Sequence, residues 1–244
     1  MKSIWTIFKR EFVSYFTHPI AYAVIVVFLF LSLILTFTLG SFLEARDASL
    51  TYSFFLYLPL VLMVLVPAVG MKLWTDEQRN GTIELLGTFP ISTRSVIFGK
   101  FFAAAAVWFV ALVLTFPIWI TVNWLGDPDN LTILSGYIGA FLVCCTFLAI
   151  TLLVSAFTRD QVICLVVSAA ICIILVLGTF EPFVQSYSKA LWDWLVASIT
   201  SIGVWDHYLS LARGLFRIQD FVWFAAIIVA CLFGTSAVLS AKRS

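Results

Sequence analysis

The stretch Gly136-Tyr-Ile-Gly-Ala-Phe-Leu-Val-Cys-Cys-Thr-Phe-Leu-Ala-Ile-Thr-Leu-Leu-Val-Ser-Ala-Phe157 runs for 22 residues without Asp, Glu, Lys, Arg or His. A helix needs roughly 20 mostly apolar residues to cross the hydrocarbon core, and a backbone polar group left unpaired in lipid costs several kcal/mol. The run therefore reads as a membrane-spanning helix. Outward from it, five more segments meet the same requirement: Ile20 to Ser41, Thr51 to Met71, Phe101 to Leu125, Val162 to Phe180, and Phe221 to Ala241. None contains an ionisable Asp, Glu, Lys, Arg or His, although Asp160 and Glu181 closely bound the fifth. Composition agrees: 62% of the 244 residues are hydrophobic and 11% charged, against roughly 25% charged in soluble domains. The expected fold is an all-α membrane protein of six transmembrane helices, forming one domain over residues 1–244.

Six spans place both termini on one side. With that side in the cytoplasm, ten of the 14 basic residues face inward and Arg46, Lys189, Arg213 and Arg217 face outward, as the positive-inside rule expects. A net charge of +1 argues against a generally basic nucleic-acid binder. Lys2, Lys9 and Arg10 before an apolar run resemble a signal peptide, but Glu11, the surrounding aromatics and the length of the run favour an uncleaved first helix.

Three polar segments remain. In residues 1–18, Ile4, Trp5, Ile7, Phe8, Phe12, Tyr15 and Phe16 recur at helical spacing among charges, which describes an elbow helix in the cytoplasmic interface; packing on protein is the plainer alternative. His18-Pro19 breaks that helix. Between spans two and three, Thr75 or Asp76 is positioned to cap a helix over residues 75–89. Its apolar side is Ile83, Leu85, Leu86 and Phe89, Pro90 stops it, and Ser92 or Thr93 caps the next span. Such apolar content suits docking better than a solvated connection. The third segment, residues 181–220, is too long for a turn. Leu191, Trp192, Leu195, Val196 and Ile199 share a helical face, Trp194 and Trp205 suit an interface, and the segment either lies on the outer leaflet or re-enters the membrane.

Spans without carboxylate, histidine or lysine offer no mid-depth site for proton or sodium coupling. No Gly-x-x-x-x-Gly-Lys-Ser/Thr run exists to cradle nucleotide phosphates; Gly99-Lys100 lacks the rest of it. Cys144, Cys145, Cys164, Cys172 and Cys231 all lie in apolar runs with no metal-ligand spacing, and read as small core or lipid-facing residues. Neither a catalytic residue nor a metal site is expected. An intramembrane enzyme is disfavoured because His18 and His207 fall on opposite sides.

Asp76-Glu77, Gly81-Thr82-Ile83-Glu84-Leu-Leu86, Pro90-Ile-Ser92 and Gly99-Lys100 resemble the loop after the second span of type 2 ABC exporter permeases. The resemblance covers the elbow helix, the six spans, a short second loop at residues 158–161 and the long outward segment. His207-Tyr-Leu-Ser-Leu-Ala-Arg213-Gly214, continuing to Asp220, is similar to the gliding-motility-associated branch. The resemblance implies a dimer of permease chains, or of this chain with a related one, bound to separate ATPase subunits that carry ATP and Mg. It also implies an inner-membrane location and room for an envelope accessory protein. Residues 75–89 would be a coupling helix contacting the ATPase through Asp76, Glu77, Arg79, Gly81, Thr82, Ile83, Glu84, Leu86 and Pro90, with Arg159 in a second contact. Trp192, Trp194, His207, Arg213 and Gly214 would mark the outward segment. A scaffold that docks a cytosolic protein without transport shares the same docking helix and is the alternative.

Overall fold

The computed structural model describes residues 2–17, 19–40, 50–81, 92–180, 184 and 203–241. Helix α1 (Lys2–Thr17) is followed by α2 (Pro19–Thr38). A π-helical turn, Thr51–Phe55, precedes α3 (Leu58–Gly70), and α4 (Lys72–Arg79) follows α3 after a single residue. Span three is α5 (Thr93–Val113) and α6 (Phe116–Leu125). Next come α7 (Asn130–Phe157), α8 (Gln161–Leu177), α9 (Val204–Ala212) and α10 (Ile218–Ala241). Among the described residues, five helical stretches are long and apolar enough to cross a membrane, and α8 is a shorter apolar sixth. At 17 residues, α8 sits at the lower limit for spanning. The chain is an all-α membrane protein.

Helix α7 is the axis of the bundle, packing against α3, α4, α5, α8, α9, α10 and the π-turn. Small residues allow this. A Cβ on Gly136 would come within 2.6 Å of the Phe55 ring, one on Gly139 within 3.1 Å of Leu211, and one on Gly70 within 2.8 Å of Thr151 on α7. Lipid tails are as apolar as leucine, so helices in a bilayer associate through such close approaches and not through exclusion of water. Two hydroxyls in the middle of α7 bond back along it: Thr146 donates to Leu142 O at 2.9 Å and Thr151 to Phe147 O at 2.7 Å, which satisfies them without a partner helix.

Side-chain caps place the helix starts. Ser92 Oγ accepts from Ser95 N, Asp129 from Leu131 N, and Asp160 from Val162 N. The Ser92 cap matches one of the two expected. Pro19 opens α2, where its missing N–H costs nothing; His18 lies outside the described residues. Span three starts at Thr93, earlier than expected from Phe101, and breaks at Leu114 and Thr115. Pro117 has no N–H and its ring crowds the Val113 carbonyl, the usual cause of such a bend. Thr115 Oγ1 donates to Leu112 O at 2.7 Å and lies 3.0 Å from Tyr137 OH.

The loop helix expected over 75–89 differs in its described part. Residues 72–79 extend span two, Thr75 lies inside the helix with its hydroxyl on Met71 O, and neither Thr75 nor Asp76 caps it. The helix begins a turn early because Leu73, Trp74 and Thr75 are buried against the bundle, and that packing outweighs the capping preference. Residues 82–91 lie outside the described part.

The elbow helix α1 packs along α5. The crossing point is Gly99, where a Cβ would stand 2.7 Å from Ile7 Cγ2. Gly99→Leu is expected to destabilise the solubilised protein by roughly 1–3 kcal/mol, the usual range for overpacking. The readout is thermal unfolding in micelles, and Ile7→Ala in the same chain should recover part of the loss.

A candidate coupling site at the elbow end of the bundle

At the end of the bundle that carries α1, charged and amide side chains from four helices converge on one another and on the last turn of α7. Lys100, on the second turn of α5, is buried: its side chain is 4% exposed, against 17% for Glu11 of α1 and 18% for Glu77 of α4. Lys100 Nζ lies 2.8 Å from Glu77 Oε1 and 3.5 Å from Glu11 Oε1, and 5.2 Å from the centre of the Trp74 ring. Glu11 also holds Arg10 at 2.8 Å. One residue before Glu77, Asp76 Oδ1 accepts a hydrogen bond from Gln161 Nε2 at the start of α8. One residue after it, Gln78 Nε2 donates to Ser155 O at 2.9 Å and to Ala156 O at 3.0 Å, carbonyls of the last turn of α7 that the helix cannot satisfy itself.

Three consecutive residues of α4 thus reach three different elements. Successive residues on a helix point about 100° apart, so Asp76, Glu77 and Gln78 fan out toward α8, α5 and α7 respectively. A cavity of about 250 Å³ lies between α1, the start of α2 and α4, lined by Glu11, Tyr15, Lys72, Asp76, Glu77 and Lys100 among others. Burial, then the charges of Glu11 and Asp76, push the Tyr15 hydroxyl well above its ordinary pKa, so it keeps its proton beside the carboxylates. Among the described residues no group of three or more His, Cys, Asp or Glu is placed to hold a metal. All five cysteines are free, and four are buried.

The structure divides the residues singled out from sequence. Asp76 and Glu77 turn inward and bind within the chain. Arg79 and Gly81 are exposed at the end of α4, Gly81 with φ of 69°, and Arg159 is exposed in the turn between α7 and α8. Thr82, Ile83, Glu84, Leu86 and Pro90 lie outside the described residues, as do Trp192 and Trp194. Glu11, Gln78, Lys100 and Gln161 were missed as a group. Glu11 carried a signal, being the single acid in an otherwise basic elbow helix; Lys100 was read with Gly99 as an incomplete phosphate loop and as part of the permease-like loop, not as an ion-pair partner. Spans free of ionisable groups hold for the middle of the bundle, but Lys100 and Asp220 are buried inside helices at its two ends.

At the opposite end, His207 of α9 and Asp220 of α10 pair at 2.7 Å between Nδ1 and Oδ1, and the His207 ring stacks on Trp223 at 4.6 Å. Tyr208 OH donates to Phe55 O at 2.7 Å and Ser135 Oγ to Leu211 O at 2.6 Å. Residues 204–212 therefore pack into the bundle. Gly214 has φ of 80° and ends α9: its N–H reaches Leu211 O and that of Leu215 reaches Ser210 O, a Schellman closure that favours glycine. Arg213, just before it, is exposed.

Lys100→Met is expected to cost roughly 3–5 kcal/mol in unfolding free energy, because Glu77 and Glu11 lose the cation that offsets their burial. Adding Glu77→Gln should recover much of it, and thermal unfolding of the three variants in micelles measures both effects.

A comparison with curated proteins gives no match. Residues 64–242, most of the chain, match the family model described as ABC-2 family transporter protein; the match starts within α3 and takes in Asp76, Glu77, Gln78, Lys100 and Gln161. The chain belongs to the ABC-2 transporter family, as a multi-pass permease subunit whose kind works with an ABC ATPase.

Proposed function

We propose that this permease belongs to an ATP-driven exporter in which a separate ATPase, carrying ATP and Mg, pushes on the elbow end of the bundle. The observation that carries the reading is the reach of α4: it continues span two without a loop and is bonded to α5, α7 and α8 through Glu77, Gln78 and Asp76, and Lys100, which holds Glu77, also reaches Glu11 of α1. A force applied to the 80–92 connection would therefore reach spans two to five together. Residues Thr82, Ile83, Glu84, Leu86 and Pro90 are the proposed docking contact, flanked by the exposed Arg79 and Gly81, with Arg159 as a second contact. Asp76 and Glu77 act one step back, as positioning residues that hold α4 to the bundle.

In this reading the elbow end and both termini face the cytoplasm of a bacterial inner membrane, and two permease chains, identical or related, pair around the pathway. The resemblance of residues 207–220 to the gliding-motility-associated branch supports service to a cell-envelope process, with an accessory protein meeting the outward segment. The work is either movement of a substrate or mechanical.

Single cysteines test the sidedness and the docking together, because four of the five native thiols are buried. Gly81→Cys and Arg159→Cys should cross-link to the ATPase and be labelled only from the cytoplasm, while Asp127→Cys at the opposite end should do neither. Cross-linking from Asp127→Cys, or from neither of the other two, would sink the assignment. A second expectation concerns coupling: Glu84→Lys or Ile83→Pro should abolish stimulation of ATP hydrolysis by the permease in proteoliposomes at unchanged membrane abundance. Unaltered stimulation in both would show that this segment is not the energy input.

A further inference from the structure

Beneath the elbow helix the bundle has a lipid-facing cleft that the transport reading does not use. Trp5 and Phe8 of α1, stacked at 5.2 Å, roof a cavity of about 540 Å³ whose walls include Phe102, Ala106 and Phe109 of α5 and Phe141 of α7. A second cavity of about 290 Å³ continues along the same two helices past the Phe109–Phe141 pair to Phe116 and Trp119, where the bend at Leu114 and Thr115 separates α5 from α6. From Phe102 to Phe116 the path follows 14 residues of helix, about 21 Å, more than the roughly 15 Å depth of one leaflet's hydrocarbon.

The shape selects the occupant. A spanning helix of another chain, about 10 Å across, would run into α1, which closes the cleft at the elbow end. An acyl chain need not pass α1, because its headgroup stops at the interface where the elbow helix lies. The charge at that edge is also defined. Glu11 is taken up by Arg10 at 2.8 Å and Lys100 at 3.5 Å, while Lys9, two residues before it, is exposed. Lys9 stands one turn from Trp5, on the border between the membrane-facing and solvent-facing sides of the helix.

We propose that this cleft is a binding site for one anionic phospholipid of the surrounding bilayer, with an acyl chain between α1, α5 and α7 and the phosphate at Lys9. The bound lipid fills the space under the elbow helix and fastens that helix to span three. The inference rests on the membrane fold alone and is independent of any ATPase.

The full chain in nanodiscs with phosphatidylglycerol or phosphatidylcholine, each carrying a photoreactive acyl chain, tests it. The expected result is labelling concentrated on the peptides around Phe102 to Phe109 and Phe141, at least about fivefold stronger with phosphatidylglycerol. Lys9→Glu should remove that preference, and Ala106→Phe, which fills the cavity, should remove the labelling itself. Should Ala106→Phe fail to fold, Lys9→Glu alone decides. Labelling as strong on the exposed faces of α2 and α10 as in the cleft would mean ordinary boundary lipid and overturn the proposal. Equal labelling by the two lipids would do the same, as would disulfide-linked dimers through Ala106→Cys, which would give the cleft to a second copy.

Discussion

The close approach of neighbouring helices to α7 is the contact on which the rest of the bundle depends. In water, burial of apolar surface would gather these helices; in lipid it does not, and packing at short range has to serve. Gly136 and Gly139 lower the surface of α7 where Phe55 and Leu211 lie against it, and Gly70 lowers that of α3 against Thr151 of α7. With α7 enclosed, large side chains of the outer helices are left exposed on the outside of the bundle, as Val26, Phe30, Val222 and Phe233 are.

Enclosure of that kind pushes polar groups to the ends of the bundle. Lys100 is tolerated because two carboxylates and the Trp74 ring surround it, and Asp220 because His207 meets it. A buried ion pair adds little net stability once its desolvation is counted, but breaking one is costly, so such pairs favour one arrangement over others. The elbow-end cluster applies that preference to α1, α4 and α5 together, and the amides of Gln78 and Gln161 extend it to α7 and α8. Residues 76–78 owe their character to this geometry: three polar side chains in a row on one helix can only be used if three different neighbours are within reach.

Much of the fold was legible because the hydrocarbon demands the same thing of every span. Runs of about 20 apolar residues, a proline at Pro19 and a capping serine at Ser92 each carry their own physical instruction, and the helices follow them. The boundaries around Thr75 were not legible. Capping chemistry argued for a helix starting there, while the burial of Leu73, Trp74 and Thr75 against the bundle continues the preceding span, and tertiary packing outweighs a local preference worth only about 1 kcal/mol.

From sequence alone came the class of molecule and its apolar helices, since each depends on residues adjacent in the chain. The tertiary structure decided which charges face inward. Glu11, Glu77 and Lys100 are 66 and 23 residues apart along the chain, and nothing local distinguishes Glu77, which is bound inside the protein, from Arg79, which is exposed. That difference depends on the crossing of α1 over Gly99 and on the rotation of α4 against α7, and both are set by contacts between residues distant in sequence.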